Sequence, residues 1–246
     1  RREKRYETEQ LMKEKRSEEY EVLEEVFDRS TLMTIYDFLN KGTIDQIFGA
    51  VKAGKESKLY WGKDKDGNDL AIKIFLMVSA EFKKGMIPYI EGDRRFAKVK
   101  KDTRSLVFAW AQKEFTNLKQ AYKAGVNVPK PIAVRQNVLI MEFIGENGVS
   151  APLLREAPMK NPQIIYQRLV VNLRRLYRNA GLVHADLSEY NVMIWKNHPV
   201  LFDVSQSVLR EHPMADQFLR RDLNNINFYF KRLGAEVYSA EETFRR

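Results

Sequence analysis

Cysteine is absent from the 246 residues of this chain, which excludes a disulfide scaffold, a thiolate zinc site and a cysteine nucleophile. That absence is compatible with a cytoplasmic protein. Long apolar runs are missing too, since none approaches the roughly 18 residues needed to span a bilayer, and no signal peptide is evident. No membrane partner is expected. What is present is a folding composition, with 44% hydrophobic and 11% aromatic residues, over a length that suits one bilobal unit or two small domains. The net charge of +9, from 42 Lys+Arg against 33 Asp+Glu, attracts polyanions at long range. A ribosome, an RNA or a solvated basic surface all fit it.

The stretch from Leu182 to Asp203 organises the rest. Asp186 sits in a polar turn after Leu182 and Val183, Asn191 opens the short apolar run Val192 to Trp195, and Pro199 to Phe202 delivers Asp203. Two brief strands joined by a turn at Lys196 to His198 would place Asn191 and Asp203 at neighbouring strand ends, close to Asp186. Hard oxygen ligands grouped this way suit Mg²⁺ with phosphate. Singly, Asp and Asn merely populate turns. Together they match H-x-D-x-x-x-x-N followed by Asp, the catalytic-loop and metal-Asp arrangement of the protein-kinase-like fold.

Upstream, Arg1 to Glu25 mixes both charge signs and passes into an amphipathic stretch, Tyr20 to Asn40, with Leu23, Val26, Phe27, Leu32, Ile35, Tyr36 and Leu39 near the helical period. This predicts one or two helices docked on the main domain. Ile47 to Phe75 reads as three strands, the first turning through Ala53-Gly54-Lys55-Glu56-Ser57. A Walker loop would need more glycines, a Gly-Lys-Ser/Thr ending and a following helix; a strand follows here, which favours a phosphate lid. Lys73 interrupts an otherwise apolar strand, Leu70 to Phe75. An edge-strand lysine facing solvent is the ordinary explanation; a phosphate-holding lysine paired with a helix glutamate is the kinase one.

Lys83 to Lys101 reads as a basic, irregular, mobile loop that can contact RNA phosphates or a protein substrate. Asp102 to Ala124 predicts a long helix, N-capped by Asp102 and stopped by Gly125, burying Leu106, Phe108, Trp110, Phe115, Leu118 and Tyr122. Glu114 lies among these apolar neighbours, and meeting Lys73 explains its charge there better than isolation does. Pro129 to Ala133 and Val138 to Ile144 complete a sheet of about five strands. Gly145 to Pro162 has the composition of a connector and marks an interlobe hinge. Asn161 to Ala180 is a helix with Ile164, Ile165, Leu169, Val170, Leu173, Leu176 and Tyr177 on its apolar side. In a last helix, Met214 to Leu233, Phe218, Leu219, Ile226, Phe228 and Phe230 read as core.

At LVHADLSEYN (residues 182–191) and LFDVSQSV (201–208) the chain resembles the RIO family of atypical serine/threonine kinases, and the VSQSV ending is more similar to the first RIO subfamily, in its short archaeal form, than to the second. AGKES at 53–57, in place of the usual STGKE, with AIKIF at 71–75, WAQKEFTNL at 110–118 and MEFIGENG at 141–148 carry the same resemblance, which spans Gly49 to Leu233. It implies an α+β, small bilobal kinase-like fold: a helical extension over residues 1–42, an N-lobe of antiparallel sheet with one long helix over 43–144, and a reduced helical C-lobe over 145–246. It also implies ATP in the cleft with Mg²⁺ or Mn²⁺. Under it Asp186 is the catalytic carboxylate and a potential phosphoryl acceptor, and Asn191 and Asp203 are metal ligands. Lys73, supported by Glu114, holds phosphate oxygens; Gly54, Lys55, Glu56 and Ser57 cover the triphosphate; Glu142 and Ile144 offer backbone groups to adenine.

Val204-Ser205 stands where most kinases have Phe-Gly, and no A-P-E segment or large helical lobe follows in residues 204–246, which disfavours a conventional peptide substrate. The leading reading is ATP-dependent phosphoryl transfer, by autophosphorylation or ATP hydrolysis, in small ribosomal subunit maturation, with the rRNA and proteins of a pre-ribosomal small subunit as partners implied by the resemblance. Two alternatives stay open: a small-molecule phosphotransferase of the aminoglycoside or choline kinase type, and an ATP-sensing assembly factor with little catalysis.

Overall fold

The computed structural model describes residue 23 and residues 26–77 and 80–245. The charged start of the chain expected to precede the first helix therefore lies outside the described residues, apart from Leu23. Helix α1 (Arg29–Asn40) begins where the Asp28 carboxylate accepts the Thr31 N–H at 2.7 Å, an N-cap that satisfies one of the free donors of the first turn. A five-stranded antiparallel sheet follows, built from β1 (Gln46–Ala53), β2 (Ser57–Lys63), β3 (Asp69–Phe75), β4 (Pro131–Arg135) and β5 (Val138–Glu142) in the order β1-β2-β3-β5-β4.

The alternation of strand side chains decides what each face of that sheet does. On β3, Leu70, Ile72 and Ile74 enter the cluster that holds Leu23, Phe27, Ile35 and Phe38, so α1 docks on the outer face as expected. Ala71 and Phe75 enter the main core instead. Lys73 shares their face and is 8% exposed, so it is an inward lysine of a central strand, registered between Leu59 of β2 and Leu139 of β5.

The basic stretch expected as an irregular loop is in part helix: α2 runs Ala80–Ile90, and a 3-10 turn, Arg94–Phe96, is capped by the Asp93 carboxylate. Met86, Ile90 and Phe96 are buried in the main core. Charge density and Pro88, ordinarily a helix breaker, hide the Met86 and Ile90 pair, spaced four apart, that holds the helix down.

Helix α3 (Thr103–Lys123) is N-capped by Asp102, whose carboxylate accepts the Ser105 N–H at 2.9 Å, and Gly125 follows its end with φ +75°, a left-handed residue where glycine carries no Cβ penalty. After β5 a small hairpin, β6 (Gly145–Glu146) with β7 (Val149–Ser150), leads to helix α4 (Pro162–Arg178). Next come β8 (Leu182–Val183), β9 (Val192–Trp195), β10 (His198–Leu201), β11 (Val208–Leu209), α5 (Ala215–Arg232) and α6 (Ala240–Arg245). Strand β8 pairs with β11, and β9 with β10.

Three residues expected in the core are exposed: Tyr122 at 46%, Ile164 at 41% and Phe228 at 66%. Each lies beside the buried stripe of its helix. Phe228 stands about 200° around the helix from Ile226 at 100° per residue, so the two cannot share a face. Among the described residues no helix is long and apolar enough to cross a membrane.

Candidate active site

Between the sheet and the helical half lies a cleft of about 870 Å³, walled by Val51, Leu59, Ala71, Met141, Ile144, Met193 and Phe202 and carrying Lys73, Glu114 and Asp203. An apolar slot ending in charge suits a flat base attached to phosphates.

Strand β3 aims Lys73 inward and α3 brings Glu114 to it. Lys73 Nζ donates to both Glu114 carboxylate oxygens, at 2.9 and 2.7 Å, and reaches Asp203 Oδ1 at 3.0 Å. Desolvation opposes the charge on Lys73, but the Asp203 and Glu114 carboxylates outweigh it and hold the ammonium protonated above its ordinary range. Burial pushes Glu114 up to about 7 against the pull of Lys73. Asp203 moves the other way: although desolvation works against its charge, Lys73 and the Ser205 hydroxyl keep it below the usual carboxylate range.

The hairpin β9–β10 places Asn191 and Asp203 side by side, as the sequence suggests: Leu201 registers with Val192, and the Phe202 N–H donates to the Asn191 carbonyl at 3.2 Å. Asn191 Nδ2 donates to the Asp186 backbone carbonyl at 2.6 Å and to Asp186 Oδ2 at 2.9 Å. With its nitrogen so engaged, Asn191 has its carbonyl oxygen to present. That oxygen and the Asp203 carboxylate are hard donors of the kind that bind Mg²⁺ beside phosphate, so the residues fit such an ion. Desolvation raises Asp186; Asn191 opposes that rise and the nearby Asp203 charge adds to it.

Gly54, Lys55, Glu56 and Ser57 line the cleft. Their turn closes by the Gly54 N–H on the Ser57 carbonyl at 2.9 Å, and a Cβ on Gly54 would sit 3.1 Å from that oxygen. The Glu56 carbonyl ties the turn to the end of β3 through the Leu76 N–H at 2.9 Å. Burial raises the Glu56 carboxylate, and repulsion from Asp203 adds to it. Glu142 turns its carboxylate away, onto the Lys130 N–H at 3.0 Å, so only its backbone serves the cleft. The Ile144 carbonyl accepts the Ala151 N–H at 2.9 Å.

Four further buried polar residues surround the site: His184, the first residue of the H-x-D-x-x-x-x-N motif, and three with no role expected from the sequence, Asp222, Lys113 and Asn117. Asp222 of α5 accepts the Ala185 N–H at 2.7 Å and the Leu187 N–H at 2.9 Å, shaping the loop around Asp186 while Ala185 sits at φ +67°. Burial pushes Asp222 up to about 7. His184 turns Nε2 to the Phe202 carbonyl at 3.2 Å, and burial pushes its imidazole down to about 4. Lys113 and Asn117 of α3 reach the chain just beyond Asp203. The spacing of Asn117 from Lys113, four residues, and from Glu114, three, was the available signal, as was the place of Asp222 midway between Phe218 and Ile226.

A β3 lysine held by a helix glutamate and bonded across the cleft to a strand-end Asp, with a loop carboxylate close to that Asp though not on the cleft wall, defines a protein-kinase-like phosphotransferase on the small α+β bilobal fold. Comparison with known proteins makes the class specific. A RIO-domain family model matches residues 58–243. RIO-type serine/threonine-protein kinase Rio1 of Haloferax volcanii is 42% identical over 226 residues, 92% of this chain and 77% of that protein. The Methanocaldococcus jannaschii Rio1 is 37% identical over 92% of this chain and 78% of its own length. Serine/threonine-protein kinase RIO1 of Homo sapiens is 37% identical over 90% of this chain, but over only 40% of its own length. The chain belongs to the RIO kinase family. In fold it is similar to the Rio2 kinase of Chaetomium thermophilum, solved as an ADP/Mg²⁺-phosphoaspartate complex, with TM-score 0.66 at 21% identity, over 86% of this chain and 63% of that one.

Proposed function

We propose that this chain transfers the γ-phosphoryl group of ATP to a serine or threonine hydroxyl. The observation that carries this is the position of Lys73 Nζ, 2.7 Å from Glu114 and 3.0 Å from Asp203 on the wall of the cleft. Residues 43–144 serve as the N-lobe and 145–246 as the C-lobe, with ATP between them and residues 1–42 as the extension.

In this reading the Glu142 carbonyl and the Ile144 N–H receive adenine, and Gly54 to Ser57 cover the triphosphate. Lys73 leaves Asp203 for phosphate oxygens while Glu114 keeps it aimed. Asn191 and Asp203 would hold Mg²⁺, or Mn²⁺ in its place, and the ion would neutralise charge on the phosphates. Asp186, fixed by Asn191, orients the attacking hydroxyl and takes its proton as the new O–P bond forms and ADP departs. Such a site acts chiefly by positioning and charge neutralisation. With water as acceptor the same steps are ATP hydrolysis, and with Asp186 itself as acceptor they yield an acyl phosphate, the species named in the Rio2 complex. Family membership favours this reading over a small-molecule phosphotransferase. The net charge of +9 supports a pre-ribosomal small subunit as partner.

The test follows γ-labelled phosphate from ATP and Mg²⁺ with wild type, Asp186→Ala and Asp203→Ala. Label on protein or in solution, lost in both variants, is the expected result, and its acid or base lability separates phosphoserine from acyl phosphate. Label that stays on ATP while nucleotide still binds overturns catalysis in favour of an ATP-sensing assembly factor.

A further inference from the structure

Asp203 occupies an unusual backbone position for a residue that must present a carboxylate. It lies in the left-handed region, φ 57° and ψ 56°, and leads straight into the 3-10 turn Val204–Gln206. Aspartate visits that region as a single residue more readily than most side chains, at a cost its surroundings offset. Turn carbonyls have no strand or long helix to accept donors from, and buried carbonyls require some.

Helix α3 supplies them. Asn117 Nδ2 donates to the carbonyls of Val204 at 2.8 Å and Ser207 at 2.9 Å. Lys113 Nζ donates to the Ser205 carbonyl at 3.1 Å and also to that of Ser207. Both side chains are fully buried, at 0% exposure. From the other side, the Ser207 hydroxyl donates to the His184 carbonyl at 3.0 Å, in the loop that carries Asp186. Desolvating an ammonium costs more than filling the same volume with an apolar side chain, so satisfying space alone does not account for Lys113. Asn117 lies one helical turn from Glu114, which holds Lys73. One helix thus sets both the lysine and the segment behind Asp203.

We infer that Lys113 and Asn117 are positioning residues for the metal-binding carboxylate: their four bonds to the Val204–Ser207 carbonyls hold Asp203 aimed into the cleft. This rests on the reading of Asp203 as a metal ligand. It assigns to α3 an ordering role that an activation segment serves elsewhere.

The experiment compares ADP affinity in excess Mg²⁺ with ADP affinity in EDTA, by calorimetry, for the full chain. In Asn117→Leu and Lys113→Met the Mg²⁺-dependent gain in affinity is expected to fall by about ten- to a hundredfold, as when outer partners of metal ligands are removed, while affinity in EDTA stays near wild type. Lys113→Arg, which keeps donors, is expected to restore part of the gain. Should the apolar variants not fold, Asn117→Ser, which keeps a hydroxyl and leaves Lys113 in place, carries the same comparison. Equal loss with and without Mg²⁺, or an unchanged gain in a variant that only melts earlier, overturns the proposal. Asp203→Asn separates the two levels: if it leaves the Mg²⁺ gain intact the metal-ligand reading fails, whereas if it abolishes the gain and Asn117→Leu does not, only the positioning role fails.

Discussion

Lys73 Nζ and Asp203 Oδ1 lie 3.0 Å apart, joining the central strand of the sheet to the end of the β9–β10 hairpin across the cleft. The same ammonium is the counter-ion of Glu114, which is 1% exposed. Its loss therefore exposes two carboxylates to different penalties, one electrostatic at the cleft and one a buried charge.

Lys73→Met is expected to destabilise the fold by about 3 kcal/mol, because it leaves Glu114 buried without a partner. Burial already raises Glu114 to about 7, and without Lys73 it rises further. A carboxyl raised above its unfolded value contributes stability at low pH that is lost as pH rises through the folded pKa. The deficit of the variant should grow from pH 6 to pH 8 in urea denaturation. Lys73→Met with Glu114→Leu should recover stability and remain inactive.

Glu56 adds a third carboxylate near Asp203 and Asp186; burial raises it first, and the charges of Asp203 and Asp186 add to the rise against Lys73. Glu56→Gln removes repulsion from the space a triphosphate would fill. ATP binding without a divalent cation should tighten several-fold, and the gain should shrink once Mg²⁺ is present; fluorescence titration in EDTA and in Mg²⁺ checks it. Unchanged affinity in EDTA would show that the side chain swings clear of the phosphates.

Asp222 is not among the residues that line the cleft, yet it holds the Ala185 and Leu187 N–H groups. Asp222→Ala leaves two buried donors unpaired, at about 1–3 kcal/mol each. Labelled-phosphate turnover should drop sharply, with KM for ATP little changed. Asp222→Asn, keeping one acceptor, should fall between.

His184 is buried neutral, with its imidazole depressed from 6.5 to about 4. The unfolded chain binds that proton first, so the contribution is present above about pH 6.5 and is lost as pH falls through about 4, amounting to roughly 3 kcal/mol. Stability measured from pH 7 to pH 4 should decline less steeply in His184→Asn than in wild type. Parallel slopes would show that the ring is not kept neutral by the fold.

The extent to which the site was legible follows from how local its determinants are. Asp186, Asn191 and Asp203 lie on one hairpin and the turn before it, so their spacing implied their proximity. The Lys73–Glu114 pair was legible for another reason: a charge inside an apolar strand and another inside an apolar helix require each other. Lys113, Asn117 and Asp222 escaped because their partners are backbone groups of distant segments, which no side-chain pattern announces. Tyr122, Ile164 and Phe228 show the reverse error, apolar residues assigned to the core although the docking angle of their helix leaves them outside.

By itself the sequence determined the α+β class, the cap at Asp102, the mutual need of Lys73 and Glu114, and the family, because each is written in residue type and short spacing. Only the tertiary structure decided that α2 is a helix, that Lys73 also bonds Asp203, and that α3 holds the carbonyls behind that residue. These depend on where separate elements meet in space. Burial then sets how strongly each charge and each hydrogen bond counts.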